Sequence, residues 1–195
     1  MRLDYDRLVI GYHGCDEAVA ERLLRGEPFA PSTNDYDWLG HGVYFWEWGL
    51  DRAQKWARQM AEAGSIESPA VVGAWLQLGR CIDLLDTEYT AQLGEFFADW
   101  SAMMSQAGLP IPLNRGPAPE KGARFLDCAV LNAFARGLKD QGRGHDTVRG
   151  AFQEGGPAFP GSAILSRTHI QIAVRNPAAI LGVFRPTGAI TGGTT

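Results

Sequence analysis

Strand and helix patterns alternate from Leu8 to Ala57, and this alternation limits the possible folds more than any other feature. The apolar run Leu8–Tyr12 predicts a strand that ends in His13-Gly14, and a helical pattern follows from Ala18 to Gly26. After a polar loop, Gly40-His41-Gly42 opens onto a second strand, Val43-Tyr44-Phe45. Because glycine has no Cβ, a ligand or another backbone can approach closely beside it. The two strands are therefore expected to place a histidine and a tyrosine together in a glycine-lined cleft.

These segments, in this order, resemble the ADP-ribosyltransferases of the diphtheria toxin and poly(ADP-ribose) polymerase type. That family has a strand ending in Tyr-His-Gly, a helix ending near a glycine, a loop and a Gly-x-Gly-hydrophobic-Tyr-Phe segment. The matching segments are Tyr12-His13-Gly14, Ala18–Gly26 and Gly40–Phe45. The following helix, with Ala53, Trp56 and Ala57, is also similar to the family. Taken singly, His13-Gly14 is more typical of a strand-to-helix turn and Tyr44 of a half-buried strand aromatic.

The resemblance implies an α+β chain with the ADP-ribosyltransferase fold, in which two small antiparallel sheets form a split core with flanking helices. It implies NAD in the cleft as a substrate. His13 would hydrogen-bond the adenosine ribose, the Gly14 backbone would hold the nicotinamide carboxamide, and Tyr44 would stack on the nicotinamide ring. Further NAD contacts are expected from four residues of the loop, the second strand and the second helix: Asn34, Tyr36, Gly42 and Trp56. The family has a small hydroxyl residue on that helix, and Arg52 stands there instead.

The third catalytic residue of this His-Tyr-Glu type is usually a glutamate on a strand near the C-terminus. The matching strand is Thr168–Arg175, where alternation places His169, Gln171 and Ala173 on one face. Gln171 is the best match, which makes the predicted catalytic set His13, Tyr44 and Gln171. A glutamine side chain cannot act as a general base. We therefore expect transfer of one ADP-ribose at most, to an acceptor that is already a good nucleophile.

Several alternatives remain open at this point. Glu47, Glu154 or His169 could compensate for the missing glutamate, although each is also typical of a surface acid or a packed histidine. The chain could be a catalytically weak module that binds NAD or ADP-ribose, or an NAD-hydrolysing toxin. It could also be an RNA 2′-phosphotransferase, for which the late strands offer Arg149, Arg167 and Arg175.

Composition sets the remaining expectations. With 195 residues and 45% hydrophobic content, the chain predicts one domain over 1–187 and a disordered tail over 188–195. A net charge of −4 provides no global field for nucleic acid or an anionic membrane. The three cysteines are widely spaced and predict neither a metal site nor a disulfide framework, and Cys15 is expected to be a cleft residue, not a nucleophile. No signal peptide or membrane span is visible, so we expect a cytoplasmic protein whose partners are NAD, a protein, nucleic-acid or small-molecule acceptor, and a possible inhibitor protein.

The rest of the chain predicts three more helices and four more strands. The helices are expected at Leu50–Ala63, at Thr87–Met104 with Leu93, Phe96, Phe97 and Trp100 buried, and at Arg124–Leu138 after a proline-rich linker, Gly108–Gly122. Besides Thr168–Arg175, strands are expected at Ala70–Leu78, Asp146–Phe152 and Ala179–Phe184, and Gly79-Arg80 is expected to turn into a separate short extended piece, Cys81–Leu85.

Overall fold

The computed structural model describes residues 4–116 and 122–188, with side chains from residue 7 onward. The protein is a mixed α+β fold. Its elements are β1 (Asp4–Asp16), α1 (Glu17–Leu24), β2 (Val43–Glu47), α2 (Leu50–Glu62), β3 (Pro69–Asp83), α3 (Thr87–Gln106), α4 (Phe125–Asp140), β4 (Thr147–Phe152), β5 (His169–Val174), a 3-10 turn (Pro177–Ala179) and β6 (Ile180–Phe184). Part of the predicted linker, 117–121, and the predicted tail from 189 onward lie outside the described residues. None of the helices in the described ranges is both long and apolar enough to cross a membrane.

The strands form one six-stranded sheet, where two small sheets were expected. Its order is β1-β2-β5-β4-β3-β6, and β1 also pairs with β3. This extra pairing joins β1, β2, β5, β4 and β3 into a closed ring of strands, with β6 added at the outside of β3. All pairings are antiparallel except that of β3 with β4.

The length of β3 explains the single sheet. The predicted break at Gly79-Arg80 is wrong, because β3 runs on through Cys81–Asp83 and pairs there with β4. Gly79 has φ 56°, and a Cβ at this position would lie 2.5 Å from a carboxylate oxygen of Asp146. The strand therefore bends at this glycine without ending. As a result, β3 pairs with β1 as far as the bend and with β4 after it.

The side chains of the ring divide into an inner and an outer face. The inner face holds an apolar cluster that includes Val9, Phe45, Leu76 and Ile172, and α1 packs against Cys15, Ala70 and Val72 at one end of it. On the outer face, α2 covers Trp46 and Val71, and α4 covers Ile82, Val148 and Ala173. Strand alternation thus decides which side chains of β1, β2 and β5 can meet.

Local sequence signals explain the helix ends. Asp16 accepts a hydrogen bond from the backbone N–H of Ala18 at 3.0 Å, and Asp86 does the same for Glu88 at 2.9 Å, so each caps a helix. Gly26, with φ 91°, follows the end of α1. The predicted buried stripe of α3 is wrong at Phe97, which is 37% exposed, whereas Phe96 packs on Phe134 of α4.

A buried ion cluster lies on the inner face, where Arg149 contacts two carboxylates. Its Nε and Nη2 donate to Glu47 at 2.6 and 3.0 Å, and its Nη1 donates to the Asp83 carboxylate at 3.1 and 3.3 Å. The side chains of Arg149, Glu47 and Asp83 are almost fully buried, with exposed fractions of 8%, 9% and 7%. Burial lowers the pKa of Arg149, but Glu47 and Asp83 outweigh it, and the net pKa is raised. Arg149 therefore stays a cation that connects β4 to β2 and β3.

Candidate functional site

His13 lies on the inner face between two phenylalanines. Its Nδ1 is 2.8 Å from the carbonyl oxygen of Tyr44, and its ring contacts Phe29 and Phe45 at centroid distances of 5.4 and 5.7 Å. Burial lowers the pKa of His13 more than the contact with the Tyr44 carbonyl raises it, so the ring is neutral near pH 7. Because a carbonyl only accepts, Nδ1 carries the proton, and Nε2 is left as a hydrogen-bond acceptor.

β1 and β2 separate just before this histidine. Their ladder includes Gly11↔Glu47 and Tyr12↔Trp46, whereas the pairing of β1 with β3 continues to Asp16. The side chain of His13 bridges to β2 where the ladder stops. The result is a wedge between the two strands, with His13 at its narrow end.

Gly14 lies on the opposite, outer face, directly beneath α2. A Cβ at Gly14 would lie 2.8 Å from the carbonyl oxygen of Ala53 and 2.8 Å from Cε3 of Trp56. Glycine is required here because the helix packs against the strand backbone. The structure therefore brings together two predicted NAD contacts, Gly14 and Trp56, and gives both a packing role.

Tyr44 also lies on the outer face, so its side chain leaves the sheet on the side opposite to His13. Its hydroxyl donates to the carbonyl of Gly40 at 2.8 Å and accepts from the N–H of Leu39 at 3.0 Å. Burial is the main reason that the pKa of Tyr44 is raised. The loop before β2 thus wraps around the end of the tyrosine, and the ring packs beside the cluster under α4.

Gln171 is held by two neighbours. Trp38 Nε1 donates to Oε1 of Gln171 at 2.6 Å, and Nε2 of Gln171 lies 3.1 Å from Nε2 of His169. His169 Nδ1 in turn lies 2.8 Å from the carbonyl of Arg167, which makes Nδ1 the donor and Nε2 the acceptor from the glutamine. Burial lowers the pKa of His169. His169 and Gln171 share a face as predicted, and the glutamine retains one free lone pair and one N–H.

An aromatic wall that was not predicted surrounds Gln171. Between ring centroids, Trp46 lies 5.8 Å from Trp56 and 6.4 Å from His169. On the other side of His169, Phe152 stacks on the imidazole at 5.5 Å and contacts Trp38 at 5.2 Å. Trp46 is two residues after Tyr44, so strand alternation alone places both on one face. Trp38 carries no comparable signal, because its position depends on how the loop before β2 folds over Gly150. Phe152 ends β4 and meets His169 because the two are paired across the sheet.

Arg52 and Glu154 close this wall with an ion pair. Arg52 Nη2 donates to both carboxylate oxygens of Glu154 at 3.1 and 3.2 Å, and Arg167 lies 3.4 Å from the same carboxylate. Within the described residues, Arg52 Nε and Trp46 Nε1 are buried and have no hydrogen-bond partner. Glu154 thus lies close to Gln171's neighbours, whereas Glu47, the other proposed substitute carboxylate, is held on the inner face by Arg149.

The remaining predicted NAD contacts lie elsewhere or serve the backbone. The carbonyl of Asn34 accepts from Cys128 of α4 at 3.4 Å, and Tyr36 contacts Phe125 of α4 at 6.1 Å between ring centroids, so this part of the loop rests on α4. Gly42 packs against β5, because a Cβ there would lie 2.8 Å from the carbonyl oxygen of Val174. The predicted site is therefore divided into a His13 part, a Gln171 part and a loop part.

The thiols give no sign of nucleophilic chemistry. Cys15, Cys81 and Cys128 are free and buried. Burial raises the pKa of the Cys15 thiol to about 12, with Glu17 and Asp16 adding to the effect. A thiol with such a pKa is almost entirely protonated near pH 7. Across residues 4–116 and 122–188, no group of three or more His, Cys, Asp or Glu residues is arranged to hold a metal ion.

Comparison with known proteins gives one partial similarity. A segment of 45 residues is 40% identical to an uncharacterized protein of Methanocaldococcus jannaschii, and it covers 23% of this chain. The chain spans about a fifth of that relative's length, 21%. No protein-family model matches the chain. No solved structure matches it either.

Proposed function

We propose that this protein has an ADP-ribosyltransferase fold and is a mono-ADP-ribosyltransferase that moves one ADP-ribose from NAD to a macromolecular or small acceptor. The observation that carries the proposal is the state of His13. A neutral imidazole with its Nδ1 proton committed to β2 presents Nε2 as an acceptor, which suits a ribose hydroxyl and not an anion. Phe29, which packs on His13, also lines a cavity of about 360 Å³ between α1 and β6, and we assign the adenine to it.

The two buried donors beside Gln171 support a ligand in the Gln171 part of the site, on the outer face of the sheet. A buried N–H without a partner costs roughly 1–3 kcal/mol, and a bound acceptor recovers this. Trp46 Nε1 and Arg52 Nε both meet this description. The carboxamide oxygen of nicotinamide and the oxygens of its ribose are acceptors of the required kind.

The proposed reaction is a substitution at the C1′ carbon of the nicotinamide ribose. The bond from C1′ to the pyridinium nitrogen breaks, its electron pair leaves with neutral nicotinamide, and C1′ becomes cation-like. A lone pair of the acceptor then forms the new bond to C1′, and the acceptor gives up its proton to water. The free lone pair of Gln171 would accept from a ribose hydroxyl and position this centre, with Trp38 and His169 fixing the amide.

A neutral third residue limits the rate. A carboxylate would stabilise the developing positive charge more strongly than an amide dipole does. Replacing Gln171 by Glu should therefore accelerate release of nicotinamide, provided that His169 takes up a proton to donate to the new carboxylate. Gln106→Glu, exposed near the end of α3, is the matched control for the added charge.

The test is nicotinamide release from NAD, with and without cell lysate as a source of acceptors. We expect the wild-type protein to release nicotinamide, and to release more when lysate is present. Release should fall by roughly 10²-fold in Gln171→Ala. It should also fall in both His13→Ala and His13→Asn. Tyr44→Phe keeps the ring and removes the hydroxyl bonds to Leu39 and Gly40. Its nicotinamide release, compared with that of wild type, therefore separates the contribution of the ring from that of the hydroxyl. The two His13 variants must first show wild-type circular dichroism, because the Nδ1 contact also joins β1 to β2.

Other outcomes favour other functions. Release that does not respond to acceptors indicates an NAD hydrolase. No release, together with a thermal shift by NAD, indicates a binding module and refutes the transferase. For the RNA 2′-phosphotransferase alternative, Arg149 is held by Glu47 and Asp83 and Arg167 pairs with Glu154, so of the three arginines expected to serve it only Arg175 lacks a carboxylate partner in the described part of the chain.

A further inference from the structure

A second cavity, of about 610 Å³, lies beside the C-terminal half of α4. It is separate from the contacts of Asn34 and Tyr36, which lie at the first turns of the same helix. Its lining joins the bend of β3, the start of β4, the end of β5 and the last turns of α4. Four cationic side chains and one carboxylate face it: Arg80, Arg136, Lys139, Arg175 and Asp146. His41, Asn132, His145 and Asn176 add polar groups.

The four cations outnumber the single carboxylate among the lining residues of this cavity. In the described part of the chain none of them forms an ion pair, and Asp146 is occupied by neutral donors. Its Oδ2 accepts from the backbone N–H of Arg80 at 2.9 Å, and its Oδ1 accepts from Asn176 Nδ2 at 2.7 Å. The carboxylate therefore holds the backbone of Arg80 and the side chain of Asn176 in place. Its single negative charge is outnumbered by the four cations, so the lining keeps a net positive charge.

Arg175 shows that this arrangement is costly without a ligand. Its Nη2 donates to Asn132 Oδ1 at 3.1 Å, and its Nη1 is buried without a partner in the described residues. Burial lowers the pKa of Arg175, and Arg136 lowers it further. Next to it, burial lowers the pKa of His145 to about 4, with Arg143 and Arg80 adding to the effect. A desolvated guanidinium beside like charges is stabilised by an anion.

A helix dipole alone does not account for this set of residues. Arg136 and Lys139 lie in the last turns of α4, where cations are favoured by the carbonyl end of the helix. Arg80 and Arg175, however, come from β3 and from the residue just after β5. Arg80 Nη2 and the side chain of Lys139 both come within 4.0 Å of where a Cβ at Gly144 would be, so side chains of different elements converge at a glycine.

We propose that this cavity binds a small phosphorylated molecule. A volume of about 610 Å³ is in the range of small-ligand pockets, roughly 300–1,000 Å³. Arginine and lysine side chains are the donors that proteins use for phosphate oxygens. A small ligand is favoured over nucleic acid because the site is a concave pocket and the protein carries a net charge of −4. The inference does not rest on the proposed NAD reaction, although Arg175 and Pro177 also line the cavity assigned to adenine.

The test is calorimetric titration of the full chain with inorganic pyrophosphate, ribose 5-phosphate and ribose. We expect both phosphates to bind, pyrophosphate more tightly, and ribose not to bind. Arg80→Gln and Lys139→Gln should each weaken pyrophosphate binding roughly tenfold. Arg58→Gln, which removes an exposed charge from α2, should leave the affinity unchanged.

Three results would overturn the proposal. The first is no heat from millimolar pyrophosphate or ribose 5-phosphate. The second is an equal loss of affinity in Arg58→Gln and Arg80→Gln, which indicates general charge attraction. The third is tighter binding of a short single-stranded RNA than of either phosphate, lost in the cavity variants, which assigns the surface to nucleic acid. A circular dichroism spectrum of each variant ensures that lost binding is not lost folding.

Discussion

Replacing Arg149 with methionine should destabilise the protein in a manner that depends on pH. The substitution keeps most of the side-chain length but leaves Glu47 and Asp83 on the inner face without their cation. Both carboxylates are almost fully buried, with exposed fractions of 9% and 7%. Removing one partner from a buried ion cluster costs about 3–5 kcal/mol, because the remaining charge is neither solvated nor paired. This is a large part of a typical stability of about 5–15 kcal/mol.

The pH dependence follows from the two carboxyl groups. Without the guanidinium, burial disfavours the charged form of both carboxyl groups in the folded variant, whereas the unfolded chain exposes them to water. The variant therefore loses stability as the pH rises from about 4 toward 7. The difference in unfolding free energy between wild type and variant should therefore be small near pH 4 and reach its full size near pH 7.

Urea denaturation at a series of pH values measures this difference. The variant Arg58→Met, at an exposed position, is the matched control and should lie within about 0.5 kcal/mol of wild type. The triple variant Arg149→Met, Glu47→Leu, Asp83→Leu should recover most of the loss, since an apolar cluster of similar volume can replace a buried ion cluster. A loss under about 1 kcal/mol at pH 7, or a loss that is the same at every pH, would refute the reasoning.

Three further predictions concern other positions. Gly14→Ala should lower the free energy of unfolding by about 1–3 kcal/mol, because its Cβ would lie 2.8 Å from a carbonyl oxygen of α2. Gly94→Ala, on the open side of α3, should raise it by about 0.5–1 kcal/mol, and urea unfolding measures both changes. Because burial lowers the pKa of His145 to about 4, stability should fall as the pH drops from about 6.5 toward 4, and His145→Asn should show less of this fall in thermal melts. Trp38→Phe removes the N–H donated to Gln171 at 2.6 Å and should slow nicotinamide release by roughly tenfold with little change in melting temperature.

Each of these predictions has a contrary result. Equal changes in the two glycine variants would contradict the collision with α2. Identical pH curves for wild type and His145→Asn would show that another group causes the fall. Unchanged release by Trp38→Phe, in a protein that does release nicotinamide, would show that Gln171 needs no fixed orientation.

The sequence predicted most elements because their signals are local. The helix at Leu50–Ala63 is observed as Leu50–Glu62, and that at Arg124–Leu138 as Phe125–Asp140. The shared face of His169 and Gln171 was also predicted, since it depends only on alternation along one strand. The roles of His13, Tyr44 and Gln171 in chemistry stay predictions.

What could not be predicted depends on contacts between distant segments. Proximity in a motif suggested that His13 and Tyr44 would share a cleft, but the register of β1 against β2 places them on opposite faces. The hydrogen bond between Trp38 and Gln171 joins residues 133 positions apart. The single sheet depends on β3 pairing with both β1 and β4, which no local pattern records.

The position of β5 in the ring has a consequence for how the chain folds. β5 fills the gap between β2 and β4 and pairs with both. Until residues 169–174 have been synthesised and have left the ribosome, the ring stays open and both β2 and β4 present unpaired edges. Closing it requires segments separated by most of the chain to meet, which is typical of slow folding. A nascent or truncated chain that ends before β5 is therefore expected to be the form of this protein most exposed to aggregation and to chaperones.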